Sequence, residues 1–319
     1  MNAQDIHFSQ FYNSPMNLNP ALTGIFRGDQ RIVGNYRNQW EAVPVPYLTF
    51  SGAYDQKIYL KALGDGFLGG GLIFNYDKSG DGEMIWSQLG VNVSYTQPLS
   101  EQLFISGGFQ YLFGSRRVNP DKLSWAEQWN GDIYDENVSL TEDFNDKTKG
   151  FSSLSGGVNL HFQLENTRTK ADAGVGLFHL NRPSVNFFED KKISLPMKGN
   201  SYVIGTIEVH PKMDVRVFGV HSFQSKYSEA VFGAAFRYHL SFQRSREISI
   251  QLGTSFRVGD ALIPTFEVQY HALRVGLSYD VNTSAFEVAT QQKGGPEISV
   301  EYIITKVKSV KVFKACPIF

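Results

Sequence analysis

A single cysteine, Cys316, is all this chain has, which excludes an intramolecular disulfide framework and any multi-cysteine zinc or iron–sulfur site. There is no basic excess either. Thirty Lys and Arg stand against 31 Asp and Glu, for a net charge of −1. That argues against a broad electrostatic nucleic-acid binder, which must release counterions, so no nucleic-acid partner is expected. Charge of both signs is scarce, at 19% against the roughly 25% usual for soluble domains. No apolar run reaches the about 18 residues of a transmembrane helix, an absence that leaves membrane-spanning strands open. A basic segment leading into an apolar one is also missing: Met1 is followed at once by Asn2, Ala3, Gln4 and Asp5. The chain reads either as cytosolic or as a form with its signal peptide removed. Abundant instead are aromatics, at 14%, and glycines, 30 in 319 residues.

From about residue 29 the dominant signal is period-two alternation over runs of roughly ten residues. Ile32, Gly34, Tyr36, Asn38 and Trp40 share one face, with Arg31, Asn35, Arg37 and Gln39 on the other. The same pattern recurs through Leu89–Tyr95, Leu103–Phe113, Leu154–Phe162, Phe232–Tyr238, Ile248–Leu252, Leu273–Tyr279 and Ile298–Ile304. Weaker strands are placed near 47–56, 67–76, 171–180, 201–209, 213–222 and 260–270. The total is about 14, an even number, each long enough to cross a bilayer at a tilt. The opposite face is small and polar and carries Arg37, Arg257, Glu267, Arg274, Asp280 and Glu301.

A soluble sandwich alternates too, so the connections must decide. The three longest, near 114–150, 181–200 and 283–296, are all odd-numbered, whereas most even-numbered ones are tight turns such as His210-Pro211-Lys212. One-sided long loops are the mark of an outer-membrane barrel. Tyr and Trp near strand ends (Trp40, Tyr54, Tyr76, Trp86, Tyr95, Tyr238, Tyr270, Tyr279) fit interfacial girdles, and the chain ends in Phe319. The expected fold is all-β: a transmembrane antiparallel β-barrel over residues 29–305, integral to an outer membrane and in contact with its lipid. The charged faces must then look into the lumen, either as a satisfied polar interior or as a selective channel.

Residues 1–28 do not alternate. Gln4-Asp5-Ile6-His7-Phe8-Ser9-Gln10-Phe11-Tyr12-Asn13-Ser14-Pro15 is followed by Leu18-Asn19-Pro20-Ala21-Leu22-Thr23-Gly24. This density of Pro, Asn and Gly describes turns rather than a strand or helix. The segment must either plug the lumen or lie under the barrel. Next come Asn35-Tyr36-Arg37-Asn38-Gln39-Trp40 and Val43-Pro44-Val45-Pro46-Tyr47. Together these resemble the PorP/SprF family of the type IX secretion system of Bacteroidota, contiguously over about the first 55 residues. Cys316-Pro317 is similar to the family's ending, while the middle matches only as barrel strands. The matched positions, His7, Phe8, Ser9, Gln10, Phe11, Tyr12, Pro15, Asn19, Pro20, Asn35, Arg37, Gln39 and Trp40, are read as structural. The resemblance implies an outer-membrane barrel without enzymatic activity or cofactor. One branch of the family joins periplasmic ring and peptidoglycan-binding components. Another secretes or retains large adhesins, gliding-motility adhesins among them, which carry a C-terminal sorting domain.

Catalytic and metal motifs are thin. No G-x-S-x-G elbow occurs, and His221-Ser222 are neighbours that a strand sends to opposite faces. No nucleophile, base and orienting group can be assembled from strand faces, so an enzyme is not expected. Asp77-Lys78-Ser79-Gly80-Asp81-Gly82-Glu83 begins like a calcium loop, but its twelfth position is Gln88, and a polar hairpin tip explains it. The 114–150 loop interleaves Trp125, Trp129, Tyr134 and Phe144 with acids, and the 181–200 loop offers Phe187 and Phe188. They are read either as a docking surface for a secreted partner or as a loop folded onto its own aromatics. After the last strand, residues 306–319 alternate Lys306, Lys308, Lys311 and Lys314 with apolar residues, as a basic strand end or a periplasmic tail.

Overall fold

The alternation is realised strand by strand in a computed structural model, which describes residues 5–39, 47–80, 82–119, 123, 126–129, 131–135, 138, 148–187, 194–243, 246–284 and 293–305. Fourteen antiparallel strands close into one barrel. They are β1 (Gln30–Gln39), β2 (Tyr47–Ile58), β3 (Phe67–Ser79), β4 (Met84–Pro98), β5 (Leu103–Arg117), β6 (Thr148–Gln163) and β7 (Lys170–Phe178). The second half comprises β8 (Lys198–His210), β9 (Met213–Gln224), β10 (Tyr227–Gln243), β11 (Arg246–Arg257), β12 (Ala261–Tyr270), β13 (Leu273–Asn282) and β14 (Lys293–Ile304). Each strand pairs with its sequence neighbours, and β1 closes on β14 from Gln30↔Ile304 to Arg37↔Glu297. Closure removes every free edge along the paired length.

Burial runs inside out. Leu89, Phe113, Leu252 and Val258 are among the most exposed side chains on the outer wall, at 59–63%. Asn92, Ser153, Ser155 and Ser255 on the inner wall are buried to 0%. A soluble sandwich would reverse this assignment, and only hydrocarbon outside the wall makes it favourable. Arg37, Arg257, Glu267, Asp280 and Glu301 all face inward and are buried, and Arg274 joins them half-buried. Of the girdle residues, Tyr54, Tyr76, Tyr95, Tyr238, Tyr270 and Tyr279 lie on the outer face, whereas Trp86 faces the lumen and packs edge-on to Phe151 at 5.4 Å. Trp86 shares its parity with Gln88 and Asn92, so the strand's pleat, not its aromatic character, sets its direction. Trp40 lies outside the described residues.

The long connections 118–147, 179–197 and 283–292 gather at one end, and at the other the connections run from two residues, as at 211–212, to the eight of 59–66. In outer-membrane barrels the short turns face the periplasm and the long loops the exterior. The first loop is shorter than its sequence suggests, because β5 and β6 continue their pairing out to Arg117↔Thr148.

Candidate functional site

The lumen holds the N-terminal segment. Pro15–Leu18 makes one turn of helix (α1), with Pro15 at its first position, between single 3-10 turns at Phe11–Asn13 and Pro20–Leu22. Turn-forming composition thus includes one brief helix after all, since proline at a first helical position forfeits no hydrogen bond. The segment runs the length of the barrel. Asp5 meets Lys198 and Gln224 at the long-loop end, and Gly24 N–H meets Asp55 at the short-turn end. Residues 5–28 are a plug, which resolves the choice left by the sequence.

Apolar contact seats it on one side. Phe11, Tyr12, Leu18 and Leu22 pack against Tyr202, Phe218, Val220, Val231 and Ala235, with Tyr12 and Phe218 ring centroids 4.5 Å apart. Met16 fills a second contact with Ile73 and Leu112. Among the described residues, two of the three buried apolar clusters are therefore plug against wall, because the wall's other face is given to lipid. Close approach requires lumen-facing glycines at particular places. A side chain on Gly108 would overlap the Pro20–Ala21 backbone, and one on Gly157 would overlap the Asn19 side chain. Gly108→Val is accordingly expected to unseat the plug at a cost of about 1–3 kcal/mol, measured as faster proteolysis within residues 15–24 of a still-inserted barrel.

Polar groups fix the rest, and they are the residues of the N-terminal motif. The Glu297 carboxylate accepts the backbone N–H groups of Ser9 (2.7 Å) and Gln10 (2.8 Å). Ser9 Oγ donates to Asp280 (2.7 Å) and lies 2.6 Å from the Arg257 guanidinium. Arg37, 1% exposed, donates to Asp280 (2.6 Å) and the His7 carbonyl (2.9 Å), and lies 3.8 Å from Glu297. Asn13 donates to Glu267 and Ser299, and Asn19 to the Val158 carbonyl and the Tyr202 hydroxyl. At the exit Asp55 accepts from Gly24 N–H (2.7 Å) and, through both carboxylate oxygens, from Arg31 (2.7 and 2.9 Å). Such charges survive in a lumen only when paired and hydrogen-bonded. Phe8 and Pro20 are buried and Gln39 is half-buried, while Asn35, buried to 1%, has neither side-chain amide atom hydrogen-bonded.

At the long-loop end the structure brings together groups that strand faces alone did not predict. Ser153 Oγ is 2.8 Å from His179 Nδ1, and His179 Nε2 is 3.0 Å from Asp5. His179 follows β7 and Asp5 belongs to the plug, so neither is read from strand alternation. The chain of groups resembles a hydrolytic triad, but Ser153 is 0% and His179 1% exposed, and the nearby cavity beside Asp5 and His7 is about 10 Å³. A nucleophile needs space for a reacting carbonyl about 3 Å away. The trio works as a latch on the plug. His221 instead pairs with Ser228 on the outer wall. At the hairpin tip Lys78 bonds Glu83 (2.6 Å) and Asp77 accepts from Thr49. Among the described residues no cluster of three metal-ligating side chains occurs.

This end is also acid-sensitive. Burial pushes the His7 imidazole down to about 3, against the opposing pull of Glu229, with Arg37, Arg257 and Lys198 adding to the depression. Burial works against the Asp5 charge, but Lys198 and His179 outweigh it and hold Asp5 well below the ordinary carboxylate range. Docked His7 is neutral above about 3, whereas a released His7 takes its proton near 6.5. Docking of residues 5–8 is therefore complete above 6.5 and weakens as pH falls toward 3. Amide protection factors there, taken relative to the intrinsic exchange rate at each pH, are expected to fall roughly tenfold from pH 7 to pH 5, allowing for water reaching the side chain.

Of the loop aromatics, Trp129 and Tyr134 flank a small hairpin, bridged to each other, with Tyr134 Oη donating to Gln128 (2.7 Å). Trp129 (55%), Ile133 (66%) and Tyr134 (38%) are exposed together. Phe187 is half-buried under the Arg116 guanidinium, 5.1 Å from its ring centre. Trp125, Phe144 and Phe188 lie outside the described residues, as do 306–319 with Cys316-Pro317 and the terminal Phe319.

A family model described as "Type IX secretion system membrane protein PorP/SprF" matches residues 1–302. The chain belongs to the PorP/SprF family. Its motif residues from His7 to Pro20 lie in the plug and Arg37 of the wall holds it, so this PorP/SprF barrel is a plugged one. No curated protein matches the sequence. Among solved structures it is similar to a TodX monoaromatic hydrocarbon channel lacking S2 and S3, at TM-score 0.53 and 9% identity over 91% of this chain and 94% of that one. It is also similar to the Pseudomonas putida toluene transporter TodX, at TM-score 0.50 and 11% identity over 91% and 93%. At such identities the likeness is one of fold: an outer-membrane-type β-barrel.

Proposed function

We propose that this PorP/SprF protein is a membrane-fixed docking platform that retains a secreted adhesin at the cell surface, through that adhesin's C-terminal sorting domain, in gliding-associated type IX secretion of Bacteroidota. The observation that supports it is a lumen filled by its own N-terminal segment beneath a long-loop end that presents Trp129, Ile133 and Tyr134. A filled lumen leaves surfaces, not a passage, as the working parts, and exposed aromatic clusters are the usual anchors of protein interfaces. Deleting residues 119–147 is expected to leave the barrel heat-modifiable and inserted while surface adhesin falls at least tenfold. Unchanged surface adhesin sinks the reading. A second reading has its own support at the opposite end, where Tyr59, Leu60 and Leu99 are exposed at 46–60% beside the short turns. They suit contacts with periplasmic ring or peptidoglycan-binding components of the machine. Retention of those components after mild extraction, lost on Tyr59→Ser with Leu60→Ser, distinguishes it. A small-molecule channel, as TodX is for monoaromatic hydrocarbons, is opposed by the plug.

A further inference from the structure

Strand β6 has sixteen residues and its neighbour β7 only nine. They pair from Gln163↔Lys170 to Gly156↔Leu177, so residues 148–155 of β6 rise beyond β7 at the long-loop end, still paired to β5 on their other side. The chain leaves the wall here because His179, at φ 58, turns its ring inward onto Ser153 and Asp5. Leu180 N–H then donates to the Leu154 carbonyl (2.9 Å). The Asn181 side chain imitates one more peptide unit, accepting from Leu154 N–H (3.0 Å) and donating to the Ser152 carbonyl (2.8 Å).

There the imitation stops. In an antiparallel sheet, alternate residues direct both backbone groups to the same side. Leu154 aims its pair at the notch, so Ser152, Gly150 and Thr148 do the same. Among the described residues, the N–H of Ser152 and both groups of Gly150 and Thr148 have no partner. Protein edges are normally blunted by proline, a bulge or bulky charge. This stretch has no proline and no register shift, and its outward side chains are Thr148, Gly150 and Ser152. The inner face is pinned, with Phe151 packed on Trp86, Val185 and Leu195. Among the described residues the edge is therefore pinned from inside, open, and about 17 Å long at strand spacing.

We propose that residues 148–152 of β6 are a strand-addition site that takes an extended segment of the exported protein as an extra strand. This rests on the docking reading and gives it a second contact beside the aromatic hairpin. Donors and acceptors alternating at this spacing are matched only by an extended backbone; an acyl chain offers neither, and a helix has its own already paired. Exposed Arg182, beyond Asn181, borders the notch, and exposed Arg117 stands one strand behind it on β5 opposite Thr148, which favours a segment carrying acidic residues.

The test compares Gly150→Pro with Gly150→Ala in intact cells. Proline removes an N–H that points into the notch and leaves the β5 pairing intact, while alanine keeps it and meets nothing nearer than the Gly114 carbonyl at 3.9 Å. The readout is the set of surface proteins that wild-type cells retain and the 119–147 deletion sheds. The proline variant is expected to retain about tenfold less than the alanine variant. A photo-crosslinker at position 148 of the otherwise wild-type chain, which avoids any folding defect, is expected to mark one extended segment of the retained protein. Equal retention by both variants overturns strand addition while leaving docking intact. Cross-links to a second copy of this chain overturn the assigned occupant. A wild type that retains no surface protein overturns the docking reading and this proposal together.

Discussion

Reconstituted in planar bilayers, the intact barrel is expected to pass no steady ionic current, and a chain lacking residues 5–26 to pass a large one. Barrels of 16–18 strands hold an aqueous channel, whereas those of 8 are filled by their own side chains. Fourteen strands fall between, and here the difference is occupied by the plug. Phe11, Tyr12, Met16, Leu18 and Leu22 supply the apolar volume, and Ser9, Gln10, Asn13 and Asn19 match the polar wall. Their removal exposes Arg31, Arg37, Arg257, Glu267 and Glu297 to water, where each is soluble by itself. Current through the intact chain equal to that of the deletion would mean that the plug does not seal, and would restore the channel reading. Gly108→Val provides the same comparison with the whole chain present, and intermittent current is its expected phenotype.

The second large effect is expected from Arg37→Ala. Arg37 bridges three parts of the site: Asp280 of β13, Glu297 of β14 and the His7 carbonyl of the plug. Removing one partner from a buried ionic network strands the others, at about 3–5 kcal/mol. Arg257 still reaches Asp280 at 2.8 Å, so the uncompensated charge falls mainly on Glu297. That carboxylate holds Ser9 and Gln10, so the loss is transmitted to the plug. Arg37→Lys keeps the charge but cannot span the same acceptors, and is expected to lie between. Protease sensitivity of residues 5–14, read beside the barrel's heat-modifiability, separates plug release from global failure. An alanine variant as resistant as the wild type would remove Arg37 from the latch. Asp55→Asn makes the matching test at the other end, where a single carboxylate serves both Arg31 and Gly24.

The PorP/SprF motif thus acquires a physical meaning. His7, Ser9, Gln10 and Asn19 make polar contacts of the plug, and Asn35 and Arg37 of β1 stand on the inner wall. Plug and first strand are contiguous in sequence, yet the plug must traverse the lumen before β1 begins. For that reason Arg37 reaches back thirty residues to His7.

All fourteen strands were legible from the sequence, as were the inward direction of the charged faces and the side on which the long loops gather. Each follows from local causes. A pleat repeats every two residues, a bilayer sets strand length, and antiparallel neighbours put odd connections at one end. The placement of the plug was not legible. Its contacts join residues more than 250 positions apart, such as Ser9 with Asp280 and Asn13 with Glu267, and no periodicity encodes them. The Ser153–His179–Asp5 latch and the inward Trp86 were hidden for the same reason. A left-handed residue after β7 and the pleat phase of β4 decide them, and neither shows in composition. By itself the sequence determined a membrane barrel, because alternation against lipid is a one-dimensional signal; only the tertiary structure decided that it is closed, because filling a lumen depends on which distant side chains meet across it.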